Sequence, residues 1–386
     1  MFSGKMSFLK TPIEYIPSDP FSNISRRIPT RRIAFIDELR ALSIMSLVLI
    51  NTSTLLSNKG VFTYEEYVLF STMAFGVPIF LMLLGTLMLE RDYYDDIPKF
   101  LKGRFMHIIL PFLLWNTVIA IVYTYYHGDL GLSIFGLTAF FKTFLLQHWY
   151  AWMLIGIYLS LPILNSYIKE TKIGGAEYFL VLSFLAVVIY QALEIFNTPT
   201  YFNLTFFIGP IIYLFLGYYL DHKEFKSGPN KMIWIGLILF LATTAFIVYF
   251  DVFHQGFQRT LFLHHYNFYT RSYMDVSLVV ILQAAGVFLF WKYINFDSTE
   301  GIFKRFALLF KKPLISVGIK SISRSCYGIY LTHQTMLLII FLLVDVNYFN
   351  AYYWTFILAF LTFVSSWGII TVLRKLGIPG YYIGYD

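Results

Sequence analysis

Charge is scarce in this chain of 386 residues: only 13% are Asp, Glu, Lys or Arg, against about a quarter in ordinary soluble domains. Hydrophobic residues make up 58%, more apolar surface than a soluble core of this size can hide. The single cysteine, Cys326, excludes an intramolecular disulfide framework and a multi-cysteine metal site. Short segments alternating apolar and polar residues are absent, which excludes an outer-membrane barrel. No P-loop pattern appears, which argues against an ATP-driven pump within the chain. The opening stretch, MFSGKMSFLKTPIEYIPSDPFSNISRRIPTRR, has no apolar core followed by a small-residue cleavage site, so it reads as a retained polar tail and not as a secretory signal. There is no repeat of fixed period.

What is present is a succession of apolar runs, each long enough to cross a hydrocarbon layer roughly 30 Å thick. Backbone groups in lipid must be satisfied internally, so these runs are expected to be helices. The fold class is therefore all-α, a polytopic membrane protein with ten transmembrane helices. The expected spans are Ile33–Leu56, Tyr67–Leu89, Phe105–Tyr125, His148–Tyr167, Ala176–Phe196, Phe202–Leu220, Met232–Phe250, Tyr273–Ile294, Ser323–Val344 and Tyr352–Leu373. Residues 1–32 form a tail, 33–374 the transmembrane domain and 375–386 a short second tail.

Ten crossings return the chain to its starting side, and the basic residues test that count. With this placement 25 of the 29 Lys and Arg residues fall on one side, leaving Lys59, Lys142, Arg259 and Arg271 on the other. Basic loops stay in the cytoplasm, so both termini are expected there. The net charge of +7 is thereby explained by orientation, with no need for a nucleic-acid partner. Trp149, Trp152, Tyr123, Tyr125 and Tyr126 fall at expected outer boundaries, where aromatic rings anchor in the headgroup layer. A multi-pass protein of the cell (plasma or inner) membrane, in contact with membrane lipids, is the expected setting.

Three connections are longer than turns. The outer stretch His127–Gln147 holds LGLSIFGLTAFFKTFLL, too short and glycine-rich for an eleventh span, and reads as re-entrant or interfacial. The outer loop VFHQGFQRTLFLHHYNFYTRS carries Arg259, His264, His265 and Arg271, candidates for recognising an acceptor; a solvated interfacial loop accounts for them equally. Its histidines have no cysteine pair or carboxylate set beside them, so no metal site is expected. The inner connection Asn295–Arg324 alternates apolar residues with Lys304, Arg305, Lys311, Lys312 and Lys320, the pattern of a basic helix lying on an anionic leaflet.

Ionisable groups inside a membrane are costly, so their positions are informative. The first span, IDELRALSIMSLVLINTST, puts Asp37, Glu38 and Arg40 at one end and Asn51, Thr52, Ser53 and Thr54 toward the other. Arg40 and Asn51 are eleven residues apart, about three turns or 16 Å, and share a face. That polar seam suits a substrate passage; periodicity alone favours an arginine reaching for headgroups, or paired with Asp37, below a cluster that binds helices together. His333, in CYGIYLTHQ, is mid-span, either a hydrogen-bonded interhelical histidine or a catalytic one. His148 sits at an outer helix end, catalytic or simply solvated.

The order of these segments resembles acyltransferase family 3, integral-membrane acyltransferases that modify surface carbohydrates, and most of all its subgroup for O-acetylation of enterobacterial common antigen. The resemblance is carried by IDELRALSIMSLVLINTST, GVPIFLMLLGTLML, KFLKGRFMHIILPFLLWN, HWYAWMLIGIYLSLPIL and CYGIYLTHQ. It implies a ten-helix core and an acyl group, often acetyl from acetyl-CoA, passed to a sugar hydroxyl near the outer face. Acyl-CoA is then a co-substrate, with no permanently bound cofactor, and the acceptor is a carbohydrate or lipid-linked glycan.

The resemblance also implies site residues. Arg40 matches the family's first-span arginine, but the histidine expected eleven positions later is Asn51. A carboxamide gives and receives hydrogen bonds and does not take a proton near neutral pH. Arg104 matches one of two third-span basic residues, and His107 stands in place of the second. Arg40, Arg104, His107 and Asp37 are therefore expected at the donor, and Asn51, His333 and His148 at the chemistry. Three readings follow: an enzyme whose base has moved to His333 or His148, a protein that binds or moves a glycan or lipid-linked substrate without acyl transfer, or a histidine replaced at position 51 to arrest the enzyme.

Overall fold

The computed structural model describes residues 30–57, 68–69, 72–91, 97–126, 149–195, 207, 209–253, 277–296, 299–343 and 351–385. Among them all regular structure is helical: α1 (Thr30–Ser57), α2 (Gly76–Met88), α3 (Ile97–Tyr126), α4 (Trp149–Ile195), α5 (Ile211–His222), α6 (Pro229–Phe253), α7 (Leu278–Ile294), α8 (Gly301–Phe310), α9 (Pro313–Leu343), α10 (Ala351–Lys375) and α11 (Gly380–Ile383). Five stretches are long and apolar enough to cross a membrane: Ile97–Tyr123, Tyr150–Leu193, Pro229–Tyr249, Pro313–Leu343 and Tyr353–Lys375. Gly76–Met88 and Leu278–Ile294 are shorter apolar helices.

Helix ends depart from apolar-run ends for a physical reason. The run marks what lipid tolerates, whereas a helix, whose backbone bonds are made within itself, continues past the run into residues that are not buried. α3 thus begins at Ile97 and α9 at Pro313, well before the expected Phe105 and Ser323. Proline suits that first position, because its missing N–H would be unpaired there anyway. The expected fourth and fifth spans lie on the two arms of α4, and the break falls at Lys172, with φ 52. Tyr167 Oη donates to the Gly175 carbonyl across it, at 3.1 Å. The stretch 127–147, residue His148 and the loop bearing Arg259, His264, His265 and Arg271 lie outside the described residues.

α1 is central, packing against α2, α7, α9 and α10. Two helix pairs approach backbone to backbone, as small residues allow. A Cβ on Gly85 of α2 would lie 1.9 Å from the Leu214 carbonyl oxygen, and one on Gly217 of α5 2.0 Å from that of Met82. Gly236 of α6 and Gly286 of α7 cross in the same reciprocal way, at 2.7 and 2.8 Å. α8 turns Phe303, Phe306 and Phe310 toward Trp234, Phe290 and Trp291, and leaves Lys304, Arg305, Lys311 and Lys312 exposed.

Polar groups at the α1–α7–α5 junction are satisfied. The buried Lys292 Nζ donates to the carbonyls of Leu220 and Asp221, at 2.6 and 2.7 Å. These carbonyls lie at the C-terminal end of α5, where the helix dipole favours a cation. Buried Glu38 accepts a hydrogen bond from Asn295 Nδ2 at 2.7 Å.

Candidate active site

α1 and α9 run parallel where they meet. Ser323 Oγ donates to Asp37 Oδ1 at 2.6 Å and the Cys326 thiol to the Arg40 carbonyl at 3.5 Å, two contacts that both join residues 286 apart. Each step of three residues on α1 is therefore matched by three on α9. The pairing also explains why Asp37 lies beside the site and not in it: one of its oxygens is committed to Ser323. Lys320 and Arg324 of α9, with Arg40, are near enough to act on its charge.

At this junction is a half-open cavity of about 140 Å³, lined by residues of α1, α2, α3, α4 and α9. Arg40, Arg104 and His107 all line it. The sequence places Arg40 and Arg104 on separate helices, and the packing of α3 against α9 and of α9 against α1 brings them to one wall. Apolar walls come chiefly from α2, with Leu83, Leu84, Leu87 and Met88. A charged guanidinium bordering a largely apolar space attracts an anionic group and leaves room for an uncharged chain.

His107 Nδ1 lies 2.8 Å from the Gly103 carbonyl, a partner that only accepts, so Nδ1 carries a proton. Its Nε2 is buried and has no hydrogen-bond partner among the described residues. Arg104 lies over the Phe100 ring at 5.8 Å, which keeps its guanidinium extended along α3.

Four tyrosines, Tyr150, Tyr158, Tyr327 and Tyr330, also line the cavity, as do Ser323 and Cys326. None was expected at a site. The only signal was spacing: Tyr327 and Tyr330 flank the glycine and isoleucine of the ninth-span motif and share a helix face. Tyr327 Oη donates to the Ile108 carbonyl at 2.8 Å, joining α9 to α3. Tyr330 and Tyr150 pack edge to face, with centroids 5.2 Å apart.

Beyond Tyr330 lies His333, fully buried and outside the cavity wall. The two rings are 5.8 Å apart, so the imidazole adjoins a tyrosine of the cavity wall without lining the cavity itself. His333 Nδ1 is 2.5 Å from the Tyr330 carbonyl, which again places the proton on Nδ1. Its Nε2 is buried without a partner among the described residues.

The α1–α9 register carries His333 to the level of Leu47, one turn or about 6 Å below Asn51. Asn51 is half-buried, and its Nδ2 donates to that same Leu47 carbonyl at 2.9 Å. One of the two amide N–H groups is thus used within its own helix. The structure therefore joins Arg40, Arg104 and His107 in one cavity, sets Asp37 beside it, and holds Asn51 and His333 at neighbouring levels above it.

The site is thus a largely apolar cavity edged by two arginines and a histidine, in a helical bundle with stretches long and apolar enough to cross a membrane. The model of acyltransferase family 3, described as an acyltransferase domain, matches residues 33–371, and the chain belongs to that family. No curated protein and no solved structure matches it.

Proposed function

We propose that the protein is a membrane-bound O-acyltransferase that takes an acyl group, acetyl in the simplest case, from cytoplasmic acyl-CoA and passes it to a hydroxyl of a cell-surface or lipid-linked carbohydrate. The single observation that carries this reading is the cavity edged by Arg40, Arg104 and His107 with apolar walls. Coenzyme A thioesters present phosphates at one end and a weakly polar pantetheine and acyl chain at the other. The arginines suit the phosphates, and the leucine face of α2 suits the chain.

The transfer needs a proton acceptor for the sugar hydroxyl as its oxygen forms a bond to the thioester carbon. Electron density then returns from the tetrahedral centre to expel the coenzyme A thiolate. His333 is the residue we assign as base, because its Nε2 holds a lone pair and its Nδ1 proton is fixed on the Tyr330 carbonyl. Asn51 does not take that role. Its contribution is to orient the hydroxyl or to stabilise an oxyanion. His333 adjoins the cavity wall at Tyr330 without lining the cavity, so acceptor entry on the His333 side, or movement of the phenol ring, is part of the reading. Recognition of the acceptor by Arg259, His264, His265 and Arg271, and a contribution from His148, belong to the same proposal.

The test is transfer or hydrolysis of labelled acyl-CoA by vesicles containing the protein, with Arg40→Ala expected to abolish it. Mass spectrometry of surface glycans from cells with and without the gene identifies the product. The bond from Asn51 to Leu47 favours a second reading, in which the protein binds or moves a glycan without acyl transfer. Glycan movement that survives both Arg40→Ala and His333→Ala, with no turnover of acyl-CoA, decides for it.

A further inference from the structure

The last residues of the chain fold back onto the bundle. After α10 the backbone turns at Gly377, with φ 86, and α11 returns Ile383 to a buried position. Gly384 has φ 76, a left-handed conformation that side chains strain. Its carbonyl accepts a hydrogen bond from the Gly328 N–H at 2.7 Å. A Cβ on Gly328 would stand 2.7 Å from the Ile383 carbonyl oxygen, and one on Gly384 2.8 Å from the Gly328 nitrogen. Glycine at both positions is therefore what allows this latch to close.

The latch lies against the cavity wall. α11 packs on α3, where the Tyr381 ring is 6.0 Å from that of His107. Gly328 follows Tyr327, whose phenol joins α9 to α3 at Ile108, and Tyr327, Ile108 and His107 are all cavity-lining residues.

We propose that the hook Pro379–Tyr385 is a positioning element for the acyl donor: Tyr381 fixes the His107 ring from behind, and the Gly328–Gly384 latch holds the α3–α9 wall. His107 is held along one edge by its bond to Gly103. The Tyr381 ring supplies the second constraint that stops the imidazole rotating about that bond. Loss of such support for a group bordering substrate weakens binding even when the group itself remains. The role in donor binding rests on the function proposed above; the mechanical role of the hook does not.

Cys326 makes the two separable, because it is the only cysteine in the chain and lines the cavity. In the full-length protein in membranes, the alkylation rate of Cys326 by a small maleimide reports on cavity access, and protection by acetyl-CoA reports on the donor. Tyr381→Ala is expected to speed alkylation and to raise the KM for acetyl-CoA about tenfold with kcat nearly kept. Tyr381→Phe, which keeps the ring, is expected to restore both, and Gly384→Val to exceed Tyr381→Ala if it folds.

Alkylation and KM unchanged in Tyr381→Ala would overturn the proposal. So would equal effects of the Ala and Phe variants, or a fall in kcat at constant KM. Failure of acetyl-CoA to protect Cys326 in the unaltered protein, with alkylation still faster in Tyr381→Ala, removes the donor reading and leaves the hook's hold on the wall standing. Protection without any response to Tyr381→Ala does the reverse.

Discussion

The Arg40 end and the Asn51 end of the polar face on α1 are built by different means. Around Arg40, side chains from α1, α3 and α9 converge on shared space, and residues as far apart as Arg40 and Arg104 border one cavity. Around Asn51, the polar groups answer to their own helices: Asn51 bonds Leu47, Thr52 bonds Val48, and His333 bonds Tyr330. The bonds at the Asn51 end stay within single helices, whereas the Arg40 end is joined across helices by the Ser323–Asp37 and Cys326–Arg40 contacts. In the function proposed above, the first end binds the donor and the second holds the proton acceptor.

The largest test of this contrast is Arg40→Ala, expected to lower kcat/KM for labelled acyl-CoA by on the order of 10³-fold, with the folded yield kept. Retained activity would break the comparison at its binding end. Replacing His333 by Ala is expected to cost about 10²-fold in kcat with little change in donor KM. A change in KM alone would move His333 from chemistry to binding.

Asn51→His sharpens the same end. If proton transfer limits turnover, kcat rises several-fold (on the order of the smaller general-base effects) and its pH profile changes, since imidazole titrates near neutrality and the amide does not. Equal kcat at every pH shows that His333 already suffices. The smallest effect on activity is expected from Gly236→Ala, whose new Cβ would press on the Gly286 carbonyl at 2.7 Å. Overpacking of this kind costs about 1–3 kcal/mol, read as a lower unfolding temperature with donor KM unchanged. A large rise in KM would show that the α6–α7 crossing also shapes the cavity.

The hook shows where sequence reading stops. The segment IPGYYIGYD reads as a short tail because it is brief and follows the last apolar run. Its glycines are visible in the sequence, but the partner of Gly384, Gly328, lies in another helix, and only the close approach of the two backbones gives that glycine meaning. The tyrosines of the cavity are similar: on a hydropathy scale Tyr150 and Tyr158 are indistinguishable from the aromatics that anchor at a membrane boundary. Tyr125, by contrast, is largely exposed on the bundle, and Trp152 is partly exposed with its ring edge to face on Phe112.

Sequence by itself determined the helical class, the membrane setting and the placing of Arg40 and position 51 on one face, which depend on composition, run length or periodicity along a single segment, all local properties. The family came from a resemblance carried by five motifs in order along the chain. Tertiary structure alone decided that Arg40, Arg104 and His107 share a cavity, and that residues 379–385 pack back beside His107 and Gly328. These contacts join different helices and follow from which helix faces pack together, a choice that no single segment carries.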